Sequence, residues 1–455
     1  MTPQGRFSAA VVLLADLDAA PRRPADAVAN DFFRARRYIG SGDRRAVSGR
    51  AWSVIRDRLR LDWHLARAGA APTPRLLAAA LLLLGEGGRL AGLDGLFTGE
   101  RYAEPRLAPD ERRILTILEH RPLRDPEMDE ATRLNLPAWT LPGLRARFGD
   151  DLPAAAAGLE GAAPLDLRVN LLRATRQAAG ASLAGEGVAA EPAPHSPWGL
   201  RVPDRRPVLA THAFREGLIE IQDEGSQLIA LLADARPGDR VADYCAGAAG
   251  KTLAMAATMA NRGRIAVLDV SAPRLEGATK RLRRAGVDNA EVHLLVPGDR
   301  WAKRREAGFD RVLVDAPCTG TGTWRRNPDA RLRTGAADLA ELITKQRDIL
   351  DTASRLVRPG GKLLYATCSL LPEEDEAQVT AFLERHPDFA PVPLAQAWAE
   401  ASAWAGAGAP GAPPGRMWSD GPFMALSPHS HGTDGFFAAV LQRRPQEPVV
   451  AATDA

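Results

Sequence analysis

Cysteine, lysine and long apolar runs are all scarce in this 455-residue chain, and each scarcity excludes something. Cysteine occurs three times, as Cys245, Cys318 and Cys368. Three scattered thiols form no disulfide framework, and without a Cys-x-x-Cys pair there is no zinc-ligand spacing. No metal is expected, and a reducing cytoplasm is the simplest setting. Lysine occurs only at Lys251, Lys280, Lys303, Lys345 and Lys362, so nearly all of the 59 basic side chains are arginine. A GC-rich coding bias produces this pattern, but arginine also suits phosphate and base contacts. The longest apolar run, LLAAALLLLG from Leu76, is too short to span a bilayer and is expected to be a buried helix. Near the N-terminus, AAVVLLA runs straight into an aspartate with no small-residue cleavage pattern, so no secretory signal is expected.

What is present is ordinary for a globular chain. Hydrophobic residues make up 45%, enough for a sizeable core, and the length suits two or three domains. A net charge of +3 is at most a slight lean towards a polyanionic partner.

Three regions differ in pattern. Residues 1–140 carry apolar positions at helical spacing, as in SGDRRAVSGRAWSVIRDRLRLDWHLARAG and PDERRILTILEHRP, with Pro or Gly at the ends. Their histidines, His64 and His120, stand alone and suit structural or exposed positions. Residues 141–225 are mixed: DLRVNLLRATR alternates like a strand, and GVAAEPAPHSPWGLRVPDRRPV is turn-rich. From 226 to 445, strands (DRVADYCAG, RIAVLDV, AEVHLLVPG, FDRVLVDAP, KLLYATCS, GFFAAVLQRR) are interleaved with helices. That alternation predicts an α/β domain with a mostly parallel sheet and ligands beyond the carboxyl ends of the strands. Residues 400–425 are low in complexity and are expected to form a mobile surface loop.

DYCAGAAGKT, from Asp243 to Thr252, lies between a predicted strand and a predicted helix. Small residues let the backbone approach a ligand, and the helix N-terminus offers free N–H groups. The closing GKT resembles a phosphate-binding loop, but Cys245 stands where that motif needs glycine, so that reading fails. Asp269 ends the next strand, 19 residues beyond Gly250, where a carboxylate binds ribose hydroxyls. The pair implies a nucleoside-containing cofactor; NAD and S-adenosylmethionine both fit.

Asp315 and Cys318, in DAPCTGTGT, follow one predicted strand; Cys368, in ATCS, follows another. If these strands are neighbours, both thiols face one crevice beside the glycine loop. Two thiols and an acid next to a methyl donor suit methylation of cytosine C5. A thiolate adds to C6 and makes C5 nucleophilic, an acid at the N3 edge eases the addition, and the thiol then leaves. The residues alone do not say which thiol attacks.

DLRVNLLRATR, IEIQDEGSQL, DYCAGAAGKT, DAPCTGTGTWRRNPD, QRDILDTASRLVRPGGKLLYATCSLLPEEDE and TDGFFAAVLQR, in this order, resemble the motifs of the NOL1/NOP2/Sun family of RNA cytosine-C5 methyltransferases. The likeness covers most of 160–445 and runs towards the bacterial methyltransferase B branch, which acts on small-subunit (16S) ribosomal RNA. It implies a Rossmann-like S-adenosylmethionine domain over 226–445, a small α+β connecting domain over 141–225, and an all-helical NusB-like RNA-binding domain over 1–140. It implies Cys368 as nucleophile, Cys318 as the thiol that promotes product release, and Asp315 at the cytosine edge with Lys251 close by. Cofactor binding falls to Ala246, Gly247, Ala248, Ala249, Gly250 and Lys251, with Asp269, Asp299 and Asp315; Cys245 is expected to be structural. The implied partner is RNA, with no DNA or membrane, and the expected state is a monomer. One departure stands out: Ala249 replaces a family glycine, an added methyl that would narrow the methionine pocket and is expected to be tolerated. Transfer RNA as substrate, or a weakly active RNA-binding assembly factor, are the alternatives.

Overall fold

In a computed structural model, residues 1–203, 206–403 and 422–445 are described. Most of the loop expected over 400–425 therefore lies outside the described residues. Two compact units divide the chain.

The first unit comprises Met1–Arg145, Asp150–Glu160 and Trp324–Ala336. It is helical throughout its N-terminal part, from Pro3–Asp18 to Leu152–Glu160. Two of its helices start as their sequences dictate. Thr2 and Thr73 accept hydrogen bonds from the amides of Gly5 and Leu76, and a proline follows each cap. The apolar run from Leu76 is the buried helix Pro74–Leu84, packed with Phe7, Leu13, Val47, Leu61, Leu65 and Leu115. The unit extends past residue 140 because Glu160, at the end of the last of these helices, pairs with the buried Arg60 at 2.5 Å. It also takes in a segment from much later in the chain. Trp324 is fully buried there, the Arg331 guanidinium lies 5.2 Å from its ring, and Asp329 accepts from the amide of Ala25 at the start of helix Ala25–Ala35. His64 is buried against the carbonyl of Leu123, 3.2 Å away, and burial lowers its pKa.

The second unit comprises Ala146–Gly149, Gly161–Thr323 and Ala337–Ala455. It begins with a four-stranded antiparallel sheet: β1 (Leu165–Val169), β2 (Glu191–Pro192), β3 (Gly199–Val202) and β4 (Ile219–Ile221), in the order β2-β3-β1-β4. Eight strands follow: β5 (Arg240–Asp243), β6 (Arg264–Asp269), β7 (Ala290–Leu294), β8 (Phe309–Asp315), β9 (Val357–Thr367), β10 (Phe389–Pro391), β11 (Met424–Leu426) and β12 (Phe436–Arg443). They form one sheet in the order β7-β6-β5-β8-β9-β12-β10, with β11 paired to β12. The pairings among β5 to β9 are parallel, and β12 runs antiparallel to β9. This is the expected α/β fold with a mostly parallel sheet. From β5 the chain winds outward to β6 and β7, then returns to β8 on the other side. The carboxyl ends of β5 and β8 therefore flank a topological switch point, where such sheets bind ligands.

Candidate active site

At that switch point lies a cleft of about 880 Å³. Its floor is the loop after β5. Gly247 and Ala249 both take left-handed backbone angles, with φ of +54° and +61°, and so turn the chain into helix Gly250–Thr258. The outward carbonyls of this loop are held by two arginines. Arg281 donates to Ala248 at 2.6 Å, and Arg168, on β1, donates to Gly250 at 2.6 Å and to Gln222 Oε1 at 2.6 Å. Burial pulls the Arg168 pKa down to about 10.

Asp269 lines the cleft at the end of β6. It accepts from the amides of Gly247 and Ser271, both at 2.8 Å, so its orientation is set by backbone. Ala246, Gly247, Ala248, Gly250 and Lys251 also line the cleft. Ala249 does not: its methyl is fully buried in the hydrophobic core and does not narrow the cleft. Asp299 also stands outside the lining. Its carboxylate lies 2.6 Å from His293 Nε2 and accepts from the Trp301 amide at 2.8 Å, while Leu295, Val296 and Pro297 face the cleft on that side.

Asp315 closes β8, and Cys318 follows it by three residues. β8 is hydrogen-bonded to β9, with Asp315 opposite Ala366, and Cys368 comes directly after β9. The neighbouring strands thus deliver both thiols to one place: Cys318 Sγ is 3.4 Å from Cys368 Sγ. Lys251 Nζ lies 2.5 Å from Asp315 Oδ2. Burial works against the Lys251 charge, but Asp315 beside it, with Asp243 and Cys368, outweighs burial and raises its pKa. The Cys318 thiol is pushed well above its ordinary value by its hydrogen bond with Cys368, by burial, and by the charges of Cys368 and Glu374. Cys245 also lines the cleft; burial and the surrounding aspartates raise its thiol and keep it protonated. The loop after Cys318 is tied down at Gly322, whose amide donates to the Cys368 carbonyl at 3.0 Å and whose carbonyl accepts from Gly435 at 2.8 Å. A Cβ on Gly322 would lie 2.3 Å from the Gly435 oxygen, so that close approach requires glycine.

One residue not singled out from the sequence belongs to this site. Asp243, the last residue of β5, lines the cleft and is almost wholly buried. Oδ2 accepts from Thr252 Oγ1 at 2.6 Å, and Oδ1 has no hydrogen-bond partner. Burial, with Asp315 adding to it, raises its pKa to about 7. An acid closing the strand before a glycine loop was the available signal. S-Adenosylmethionine fits these residues: Asp269 suits its ribose, the N-terminus of helix Gly250–Thr258 its methionine carboxylate, and the orphaned oxygen of Asp243 its ammonium. Among the described residues no cluster of three metal-ligating side chains occurs, and no helix is long and apolar enough to cross a membrane.

Residues 230–442 match the family model described as 16S rRNA methyltransferase RsmB/F, and residues 136–209 match the RsmF/B-like ferredoxin-like domain. The chain is 35% identical over 261 residues to ribosomal RNA small subunit methyltransferase B of Pseudomonas putida, covering 57% of this chain and 60% of that protein. It is 36% identical over 294 residues to the protein of the same name from Xanthomonas campestris, covering 64% of this chain and 65% of the relative. The matches thus span a little under two thirds of these relatives. Among solved structures, PH0851 superimposes with a TM-score of 0.75 at 26% identity, covering 97% of this chain and 99% of that one. A methyltransferase homologue from Pyrococcus horikoshii superimposes with a TM-score of 0.57 at 27% identity, covering 69% and 97%. With the motifs in order and the two thiols, the acid and the glycine loop in one cleft, this chain carries the methyltransferase domain of the RsmB/F (Sun/NOP2) family, preceded by that family's ferredoxin-like domain.

Proposed function

We propose that this protein methylates C5 of a cytosine in small-subunit (16S) ribosomal RNA, with S-adenosylmethionine as methyl donor. The observation that carries this reading is the pair of sulfurs 3.4 Å apart beside the Asp315–Lys251 ion pair. The cofactor supplies an electrophilic methyl group; the chain's own residues make C5 able to take it. Cys368 Sγ, as thiolate, forms a bond to C6 of the base. Asp315 holds the N3 and amino edge and eases the build-up of electrons at C5. Lys251 fixes that carboxyl and sets a positive charge near Cys368. After methyl transfer the C5 proton passes to solvent water, the C–H electrons re-form C5=C6, the C6–Sγ bond breaks with Cys368 leaving as thiolate, and Cys318 is the thiol beside it that assists this release.

The target base must leave its stack to meet Cys368. The helical unit is read as the RNA-docking, NusB-like part, and its arginines would make binding fall with salt. The setting is the reducing cytoplasm, where two sulfurs this close stay thiols, and the acting species is the monomer. The weak assembly-factor alternative drew its support from Ala249, whose methyl faces the core.

The test is a denaturing gel of Cys318→Ala mixed with unmodified 16S ribosomal RNA and S-adenosylmethionine. A slow-migrating protein–RNA adduct is expected, and it should vanish in Cys318→Ala/Cys368→Ala. No adduct from Cys318→Ala alongside an active wild type would exchange the roles of the thiols or remove Cys318 from release. Label uptake into transfer RNA instead of ribosomal RNA would move the same chemistry to that substrate.

A further inference from the structure

Glu374 is fully buried in the second unit, six residues after Cys368, and belongs to neither the cofactor loop nor the base-facing acid. Its carboxylate gathers hydrogen bonds from three directions. Oε1 accepts from the Thr319 amide at 2.9 Å and from Gln346 Nε2 at 2.9 Å. Oε2 accepts from Ser369 Oγ at 2.5 Å and from Thr319 Oγ1. Thr319 is the neighbour of Cys318, and Ser369 is the neighbour of Cys368. Gln346 reaches back from helix Ala336–Ser354 and also donates to the Pro317 carbonyl at 3.0 Å, one residue before Cys318. One carboxylate therefore bridges the residues next to both sulfurs.

We propose that Glu374 is a positioning residue that holds the two thiol loops in register and assigns the two sulfurs unequal roles. The inference rests on reading Cys368 as the nucleophile. All four of its donor groups are neutral, and two of them belong to Thr319, beside Cys318. Charged and titratable groups face this corner from the protein side and from the cleft side, where Asp243, Cys245 and Lys345 line the cleft with the two thiols. Asp375 is paired with Arg147 at 2.8 Å, which also binds Glu376, and the hydroxyl of Tyr365 donates to the Glu374 carbonyl at 2.6 Å. On the cleft side stand Asp315 and Lys251. Glu374 thus opposes ionisation of Cys318, and the ammonium of Lys251 stands near Cys368. A thiolate is the better nucleophile and a neutral thiol the better partner for a departing sulfur, so the charge pattern sorts the pair.

The test is site-resolved alkylation by iodoacetamide across pH, read by mass spectrometry on the reduced full-length protein without RNA. In the wild type Cys368 should react at lower pH than Cys318. In Glu374→Gln, which keeps the size and removes the charge, the Cys318 midpoint should fall by about one pH unit. The rate ratio of Cys368 to Cys318 near neutral pH should shrink by about tenfold at most and at least about threefold. A Cys318 profile that does not move in a variant that still binds S-adenosylmethionine overturns the proposal. If Glu374→Gln does not fold, the wild-type order decides, and Cys318 ionising before Cys368 overturns it equally. Because no RNA is present, a wrong substrate assignment leaves this result untouched. Conversely, the expected alkylation order in a wild type that does not methylate rRNA would sink only the substrate reading.

Discussion

Lys251 and Asp315 meet across the switch point, Nζ to Oδ2 at 2.5 Å, and tie the helix after the glycine loop to the end of β8. The lysine side chain is 9% exposed and the aspartate 32%, so the ammonium is anchored while the carboxylate still faces the cleft. Replacing Lys251 with methionine keeps the bulk, removes the positive charge near Cys368 and frees Asp315. Methylation in single turnover should slow by about 10²- to 10³-fold. S-Adenosylmethionine affinity should change far less, and a comparable loss of both would show that Lys251 serves mainly the cofactor.

Asp243 should make cofactor binding depend on pH. Its raised pKa of about 7 means that part of the population is protonated near neutrality. A bound ammonium needs the ionised form, so binding should strengthen as pH rises towards 7 and weaken as it falls. Calorimetric affinity should change by about fivefold between pH 6 and 7. Asp243→Asn should bind more weakly and lose this dependence. A wild-type affinity that is flat over the same range would remove the ammonium from this carboxylate. The same raised pKa has a stability consequence of opposite sense: the folded state holds the proton more tightly than the unfolded one. This contribution is therefore greatest below the unfolded carboxyl range and is lost as pH climbs to about 7.

Ala249 offers a nearly silent substitution. Glycine there would relieve a left-handed alanine, worth about 1 kcal/mol. It would also lose one buried methyl, worth about 0.8 kcal/mol. Thermal stability and cofactor affinity of Ala249→Gly should both stay close to the wild type. A severalfold tighter Kd would mean that the methyl does reach the pocket. Valine at the same position should be clearly destabilising, because a branched side chain tolerates φ of +61° poorly.

Trp324 is the buried anchor of a thirteen-residue segment, Trp324–Ala336, within the helical unit. Trp324→Ala should cost that unit about 3–5 kcal/mol, seen in urea unfolding followed by circular dichroism. The segment follows directly on the loop that bears Cys318, so a fragment beginning after residue 160 should lack the packing for it and bind a hydrophobic dye. A well-folded fragment free of dye binding would show that the segment finds another place.

The readable part of this molecule was local. Alternation of strands with helices, the glycine loop followed by Asp269, and thiols at strand ends are all patterns of neighbouring residues, and they placed the α/β domain and most of the cleft lining. What failed to show was orientation. Ala249 and Asp299 lie in the expected loops, yet one side chain turns into the core and the other towards His293, because backbone angles and local partners choose the direction. Asp243 was overlooked because its significance is an unpartnered oxygen, which is a property of its surroundings. Glu374 reads in sequence as one more acid in PEEDE; folding brings Thr319, fifty-five residues away, to its carboxylate beside Ser369.

By itself, then, the order of residue types determined the chemistry available: two thiols, an acid, a lysine and a glycine loop, each at a strand or helix end. Only the tertiary structure decided that β8 and β9 are hydrogen-bonded neighbours, and hence that sulfurs fifty residues apart lie 3.4 Å from each other. Strand pairing depends on contacts distant in sequence, which no local pattern encodes, and the same pairing brings both thiol loops to the carboxylate of Glu374.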